Sequence, residues 1–225
     1  MINPSTRPSR PNIALLRHGE TQWNRIARYQ GQKDSPLTST GIGQIRAIAQ
    51  TLRPHLDDLS IHRVWSSPLT RTRQSISIFC EELGLSYDDV QFDDRLMERA
   101  YGRWEGLTLD EIASRYPEDM DMENADRWNF AIPGGGESFA DVAKRLQSWL
   151  DDAPNDAPAI VMAHGGSGRL LRGIYVGLEP EKIFALNDPQ STAFMMSNAT
   201  SLTINATPEW LQAFGCQNAG LGVRI

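Results

Sequence analysis

From Asn12 onward, the apolar positions of the chain alternate between short continuous runs and stripes at helical spacing. Ile13 to Leu16 is an unbroken apolar run, the pattern of a strand covered on both faces, and it stops at Arg17-His18-Gly19. Between Thr40 and Leu52, Ile45, Ile48, Ala49 and Leu52 recur at helical spacing until Pro54 closes the pattern. Ile61 to Trp65 predicts a second strand, broken by Ser66-Ser67-Pro68. Leu69, Thr72, Ile76, Phe79, Cys80 and Leu83 then trace one face of a helix, with Gly84 just past its end. A third strand-like piece, Val90 to Phe92, leads into an irregular stretch from Asp93 to Gly106. A short helix, Leu107 to Arg115, is stopped by Pro117. The polar run that follows, ending in Pro133-Gly134-Gly135-Gly136, predicts a lid or insertion rather than core.

The second half repeats the alternation. Ser138 and Asp141 form a capping-box-like pair ahead of a helix whose buried face is Phe139, Val142, Ala143, Leu146, Trp149 and Leu150. Ala159 to Ala163 is the clearest strand; it runs into His164-Gly165-Gly166 and a helix carrying Leu170, Leu171, Ile174 and Tyr175. Thr192 to Ser197 and Thr200 to Asn205 predict a closing antiparallel pair, and Trp210 to Cys216 a further strand. Strand and helix in alternation predict an α/β three-layer sandwich, a mostly parallel twisted sheet with helices on both faces. One domain is expected over 12–225, with an irregular lid segment at about 99–136. Residues 1–11, rich in Pro and Arg with nothing to bury, predict a disordered tail.

Composition narrows the function. The 225 residues are 40% hydrophobic and 22% charged, ordinary for a globular domain, and the net charge of −6 works against a polyanion-binding role. Nucleic acid is therefore not an expected partner. No apolar run approaches the roughly 18 residues a membrane span needs, so no membrane role and a cytoplasmic location are expected. Cys80 and Cys216 lie in no C-x-x-C or metal-type cluster and read as structural thiols of a reducing compartment. Nothing in the pattern reports the oligomeric state.

Aligning the strand ends brings the chemistry together. The first strand delivers Arg17 and His18, the second leads through Ser66-Ser67-Pro68 to Arg71, and the fourth delivers His164. In open parallel sheets ligands bind at this carboxyl edge. An acidic protein that gathers guanidinium and imidazole groups there is building a local anion site, and phosphate is the anion that paired guanidinium donors suit. No G-x-G-x-x-G or Walker A string follows the first strand, which disfavours a nucleotide fold.

The string Arg17-His18-Gly19-Glu20-Thr21-Gln22-Trp23-Asn24, with Arg28, Gln30-Gly31, Asp34, Pro36-Leu37-Thr38, Gly41 and Gln44, resembles the signature of the histidine phosphatase superfamily, the phosphoglycerate mutase-like group. Ser66-Ser67-Pro68-Leu69 with Arg71 and Gln74, Leu96-Met97-Glu98 with Gly102 and Trp104-Glu105-Gly106, Gly136-Glu137-Ser138 and His164-Gly165-Gly166 look like its later blocks, in its order. The resemblance spans about Ile13 to Gly166; the remainder matches only loosely. It implies that His18 is the phosphoryl-accepting nucleophile, that Arg17, Arg71 and His164 surround the phosphate oxygens, and that Glu98 is the acid and then the base. Asn24, Gln30, Gly31 and Gly165 are implied on the substrate side. It also implies a small phosphorylated substrate, a phosphohistidine intermediate, no cofactor and no metal.

The residue types suit that chemistry. A neutral imidazole nitrogen carries a free lone pair near pH 7, and a donor bond from the other ring nitrogen to the Gly19 turn would fix the tautomer. Drawn differently, His18, His164 and Glu98 make a two-histidine, one-carboxylate metal set, but two guanidinium groups alongside oppose a divalent cation. His55 and His62 sit in no motif and are expected at solvated positions. Asp121, Glu123 and Asp126 are expected on a solvated acidic face. Tyr101, Arg103, Arg127 and Trp128, in the lid, are expected to choose the substrate. The modest stretch between Glu98 and His164 resembles the phosphatase branch, so a phosphoric monoester hydrolase is expected. The alternatives are a phosphoglycerate mutase and a catalytically silent scaffold.

Overall fold

The computed structural model describes residues 10–56 and 58–216. In chain order the elements are β1 (Ile13–Arg17), α1 (Gln22–Arg25), α2 (Ser39–Leu52), β2 (Arg63–Ser66), α3 (Thr70–Leu83), β3 (Gln91–Phe92), α4 (Leu109–Arg115), α5 (Pro117–Ala125), α6 (Phe139–Asp152), β4 (Ala159–Ala163), α7 (Gly165–Val176), α8 (Pro180–Phe184), β5 (Thr192–Ser197), β6 (Thr200–Asn205) and α9 (Pro208–Ala213). The six strands form one sheet in the order β3-β2-β4-β1-β5-β6. Its first four strands run parallel, and β5 and β6 close it antiparallel.

Alternation of side chains along the strands builds the three layers. On one face Ala14, Leu16, Val64, Ile160 and Met162 meet Ile45, Ile48 and Leu52 of α2 and Ile76, Phe79 and Leu83 of α3. On the other, Ile13, Leu15, Val161 and Ala163 meet Val142, Leu146 and Trp149 of α6 and Leu170, Leu171 and Tyr175 of α7. The mostly parallel sheet between two helical layers is therefore as expected.

Several local expectations are corrected. The second strand begins at Arg63, because Asp58 caps a 3-10 turn over Leu59–Ile61. Pro117 stops α4 but also opens α5 at its first turn, where a missing N–H costs nothing, so the lid segment is more helical than expected. Trp210 to Cys216 is no strand: Thr207 accepts from the Trp210 N–H and Pro208 starts α9, which lays Trp210, Leu211 and Phe214 against the α2 and α3 layer. Residues 1–9 of the expected tail lie outside the described residues. Arg10 and Pro11 do not behave as a tail: Arg10 donates to the Ile174 and Tyr175 carbonyls, and Pro11 O accepts from the Tyr175 hydroxyl. No helix among the described residues is long and apolar enough to cross a membrane.

Candidate active site

Strand register fixes what meets at the carboxyl edge. Arg17 pairs with Ala163 and Ser66 with Met162, so the chain leaves three adjacent strands through His18, His164 and Ser67, with His164 in the middle. The His18 N–H donates to Ala163 O and the Ser67 N–H to Met162 O, carrying the ladder one step past each strand. The His18 and His164 rings lie edge to face, 5.3 Å between centroids.

His18 is 3% exposed. Its Nδ1 lies 2.8 Å from Gly19 O, which must accept, so Nδ1 carries the proton and Nε2 keeps its lone pair, as the sequence leads one to expect. Burial first, then the guanidinium groups of Arg71 and Arg17, hold the imidazole well below the usual histidine range. The ring is neutral at pH 7.

Arg71 is 1% exposed and is fixed by carbonyls rather than by a counter-ion alone. Its Nη2 donates to Gly31 O at 2.6 Å, and its Nη1 donates to Lys33 O at 2.8 Å and Asp34 Oδ1 at 3.0 Å. Arg17 donates from Nη1 to the Asp188 main-chain oxygen at 2.6 Å, and its Nε stands 3.9 Å from Asp188 Oδ2. The Nε atoms of both arginines are buried without a hydrogen-bond partner, so each guanidinium retains a donor.

His164 is completely buried. Burial first, then the guanidinium groups of Arg71, Arg145 and Arg17, push it well below the ordinary histidine value, so it too is neutral. Glu98 is buried at the start of α7, where it accepts from the Gly166 N–H at 2.8 Å and the Ser167 N–H at 2.9 Å, as well as from the Arg99 N–H at 2.9 Å. Gly166 is required here, since a Cβ would stand 2.5 Å from Glu98 Oε1. Arg145 donates to the Arg95, Met97 and Glu98 carbonyls and pins the Glu98 main chain from α6. Oε1 takes two N–H donors and Oε2 one, so Oε2 keeps a lone pair for a proton.

These groups line one cavity of about 480 Å³. Arg17, His18, Asn24, Gln30, Gly31, Arg71, Glu98 and Gly165, all singled out from the sequence, face it; His164 stands behind His18 rather than on the surface. Asn24 Oδ1 accepts from Thr21 and Gln190, which leaves its amide N–H₂ free of protein acceptors. Of the four lid residues, Tyr101 and Arg127 reach the cavity. Arg103 instead pairs with Asp119 and stacks on Tyr116, and Trp128 packs on Phe184. Glu123 leaves the expected acidic face to bind Arg99 from below. His55 is exposed and His62 half-buried. Both thiols are buried and unpaired.

Sequence reading missed Asp188 and Arg169, which also line the cavity. Asp188 belongs to the loosely matching C-terminal part, and burial pushes its carboxyl up to about 7 against the pull of Arg17, Arg172 and Arg169. Arg169 sits on α7 four residues, about one turn, beyond Gly165, which also faces the cavity, a spacing that could have found it. Among the described residues no three His, Cys, Asp or Glu side chains are grouped as a metal ion requires. Two neutral histidines, two guanidinium groups with spare donors and a carboxylate at a helix start can accept a phosphoryl group, spread its charge and move one proton.

Residues 13–198 match the model of the histidine phosphatase superfamily, branch 1. The chain is 31% identical over 179 residues to phosphoserine phosphatase 1 of Hydrogenobacter thermophilus, covering 77% of this chain and 80% of that protein. It is 33% identical over 177 residues to a 2,3-bisphosphoglycerate-dependent phosphoglycerate mutase of Beijerinckia indica, covering 76% and 84%. The structure of a mycobacterial glucosyl-3-phosphoglycerate phosphatase with VO3 superposes with a TM-score of 0.71 at 29% identity, over 88% of this chain and all of that one.

Proposed function

This chain belongs to the histidine phosphatase superfamily, and on that premise we propose that it hydrolyses phosphomonoesters of small metabolites through a phosphohistidine on His18, without a metal ion. The observation that carries the reading is the unbonded Nε2 of a neutral, buried His18, held in that tautomer by Gly19 in a cavity shared with Arg17 and Arg71.

In the first step the Nε2 lone pair attacks phosphorus, the P–O ester bond breaks, and the leaving oxygen takes a proton from Glu98. In the second, water attacks phosphorus, Glu98 takes its proton back, and the P–N bond breaks to release phosphate and restore the imidazole. The transition states carry their charge on the equatorial oxygens, so Arg17 and Arg71 act by position and charge and the neutral His164 by position alone. The rest of the cavity, walled by Tyr29, Tyr101, Phe184 and Leu186 with Arg127 and Arg169 among them, suits a small organic leaving group.

A mutase reading has a specific support, the 33% identity to a phosphoglycerate mutase. Hydrolysis is preferred on the modest stretch between Glu98 and His164, which resembles the phosphatase branch more than the mutases that carry an extra insertion there. Turnover of a ³²P-labelled ester, quenched rapidly, is expected to trap acid-labile, base-stable label on His18 and none in His18→Ala; absence of label in the parent enzyme overturns the mechanism. With a phosphoglycerate as substrate, phosphate release is expected to exceed isomer formation, and rapid isomerisation with negligible release overturns the choice of hydrolase. EDTA is expected to leave the rate unchanged.

A further inference from the structure

We propose that Ser67 fixes the tautomer of His164, so that this imidazole holds an N–H at Nδ1, rather than a lone pair, next to the phosphoryl-accepting His18. The inference rests on the phosphohistidine reading of the site and adds a positioning residue to it.

The geometry leaves one consistent proton arrangement. His164 Nε2 lies 2.7 Å from Ser67 Oγ, and both residues are completely buried. Ser67 cannot turn away: its N–H is bound to Met162 O, its carbonyl accepts from the Ser66 and Thr72 hydroxyls, and its Oγ accepts from the Leu69 N–H at 3.4 Å. Its own O–H proton has no acceptor except His164 Nε2. If Nε2 carried the proton instead, Ser67 would hold a buried hydroxyl hydrogen with no partner, a cost of roughly 1–3 kcal/mol. The serine therefore donates, Nε2 accepts, and the single proton of the neutral ring sits on Nδ1.

Nδ1 is also the only ring nitrogen left, because it is buried with no protein partner. Any polar contact of His164 with a phosphoryl oxygen runs through it. A lone pair there would repel the oxyanion; an N–H attracts it. Strand order explains the device, since β4 lies between β2, which carries Ser67, and β1, which carries His18. The serine thus acts on phosphate only through the imidazole.

The test is the tautomer itself, read by long-range ¹H–¹⁵N correlation of ¹⁵N-histidine-labelled resting enzyme; the chain has four histidines, and single substitutions assign them. His164 is expected as the neutral Nδ1–H form from pH 6 to 8. In Ser67→Ala it is expected to shift toward Nε2–H, with kcat down roughly 10- to 100-fold and little change in KM, and with partial recovery in Ser67→Cys, whose thiol is a weaker donor. An Nε2–H or imidazolium signal in the parent protein overturns the proposal even where Ser67→Ala does not fold. So does a Ser67→Ala enzyme that loses kcat with its tautomer unchanged, since that is a packing effect. The spectrum is independent of turnover, whereas failure to trap label on His18 overturns the phosphohistidine reading and leaves the tautomer assignment standing.

Discussion

Asp188 is a carboxylate placed where a phosphate needs room, and its pH dependence follows from that position. The side chain is 7% exposed, its Oδ2 has no hydrogen-bond partner, and burial lifts its pKa from 3.8 to about 7. The folded state thus binds a proton that the unfolded chain has already released, so this group's contribution to stability is complete below pH 3.8 and is lost as pH rises through about 7. Asp188→Asn is expected to flatten the stability curve over that window, by at most about 4 kcal/mol. Urea unfolding at a series of pH values reads it. The same variant is expected to bind phosphate more tightly at pH 8, because it removes an anion 3.9 Å from Arg17 Nε; weaker product inhibition would contradict the electrostatic account. Glu98 separates its two proposed tasks by leaving group. Glu98→Gln is expected to slow alkyl phosphates by ~10²–10³-fold, and 4-nitrophenyl phosphate, whose leaving oxygen needs no proton, far less. An equal loss on both esters in the rate of His18 phosphorylation, read by rapid quench, would remove the acid role. His18, Arg17 and Glu98 were legible because the family's chemistry is written in contiguous strings. Asp188 and the Ser67 hydroxyl were not, because their roles arise from partners far away in sequence.

Elements at the edge of the sheet show a similar division. α3 has no capping side chain of its own, since its N-cap is Leu69. Asp34 supplies the cap from a distant loop: it accepts from the Thr70 N–H at 2.9 Å and the Arg71 N–H at 3.4 Å while also binding Arg71 Nη1. One carboxylate therefore satisfies a helix start and aims a phosphate-binding guanidinium. Asp34→Ala is expected to cost about 1–2 kcal/mol and to raise KM for phosphate esters, with Asp34→Asn losing less of both. A change in stability with KM untouched would show that the Gly31 and Lys33 carbonyls orient Arg71 unaided. The strands of the sheet were legible as apolar runs, and the α6 capping box as Ser138 with Asp141. α5 and α9 were missed at the same kind of position. Pro117 was taken only as a stop and Pro208 was not read at all, whereas each occupies the first turn of a new helix, where φ near −65° is already suitable and no N–H is needed.

At the scale of the molecule, the cavity lies between parts of very different packing. The two main clusters cover both faces of one sheet and share its strands, so they are coupled through the same backbone ladder. The third is small: only Trp104, Ile112 and Ile132 are fully buried in it, under half-buried Tyr29, Tyr101 and Tyr116, and it carries α4 and α5, the latter packing through Met120. Apolar burial is the main source of resistance to opening, and a unit with so little of it opens at a lower free energy than the sheet. Its ties to the rest are polar and run to the site: Glu105 Oε1 accepts from the Gln32 and Tyr101 N–H groups, and Arg28 pairs with Glu111. Hydrogen exchange is therefore expected to be fastest, among these elements, in α4 and α5, and slowest in β1 and β4. Vanadate, in contact with neither helix, is expected to slow exchange in residues 101–125 by ordering Gln30, Gly31 and Tyr101 at the cavity wall. Protection as deep in α5 as in β4 without ligand would show one cooperative unit. Unchanged exchange on binding would uncouple this segment from the phosphate, leaving substrate choice to the α7 and α8 side of the cavity.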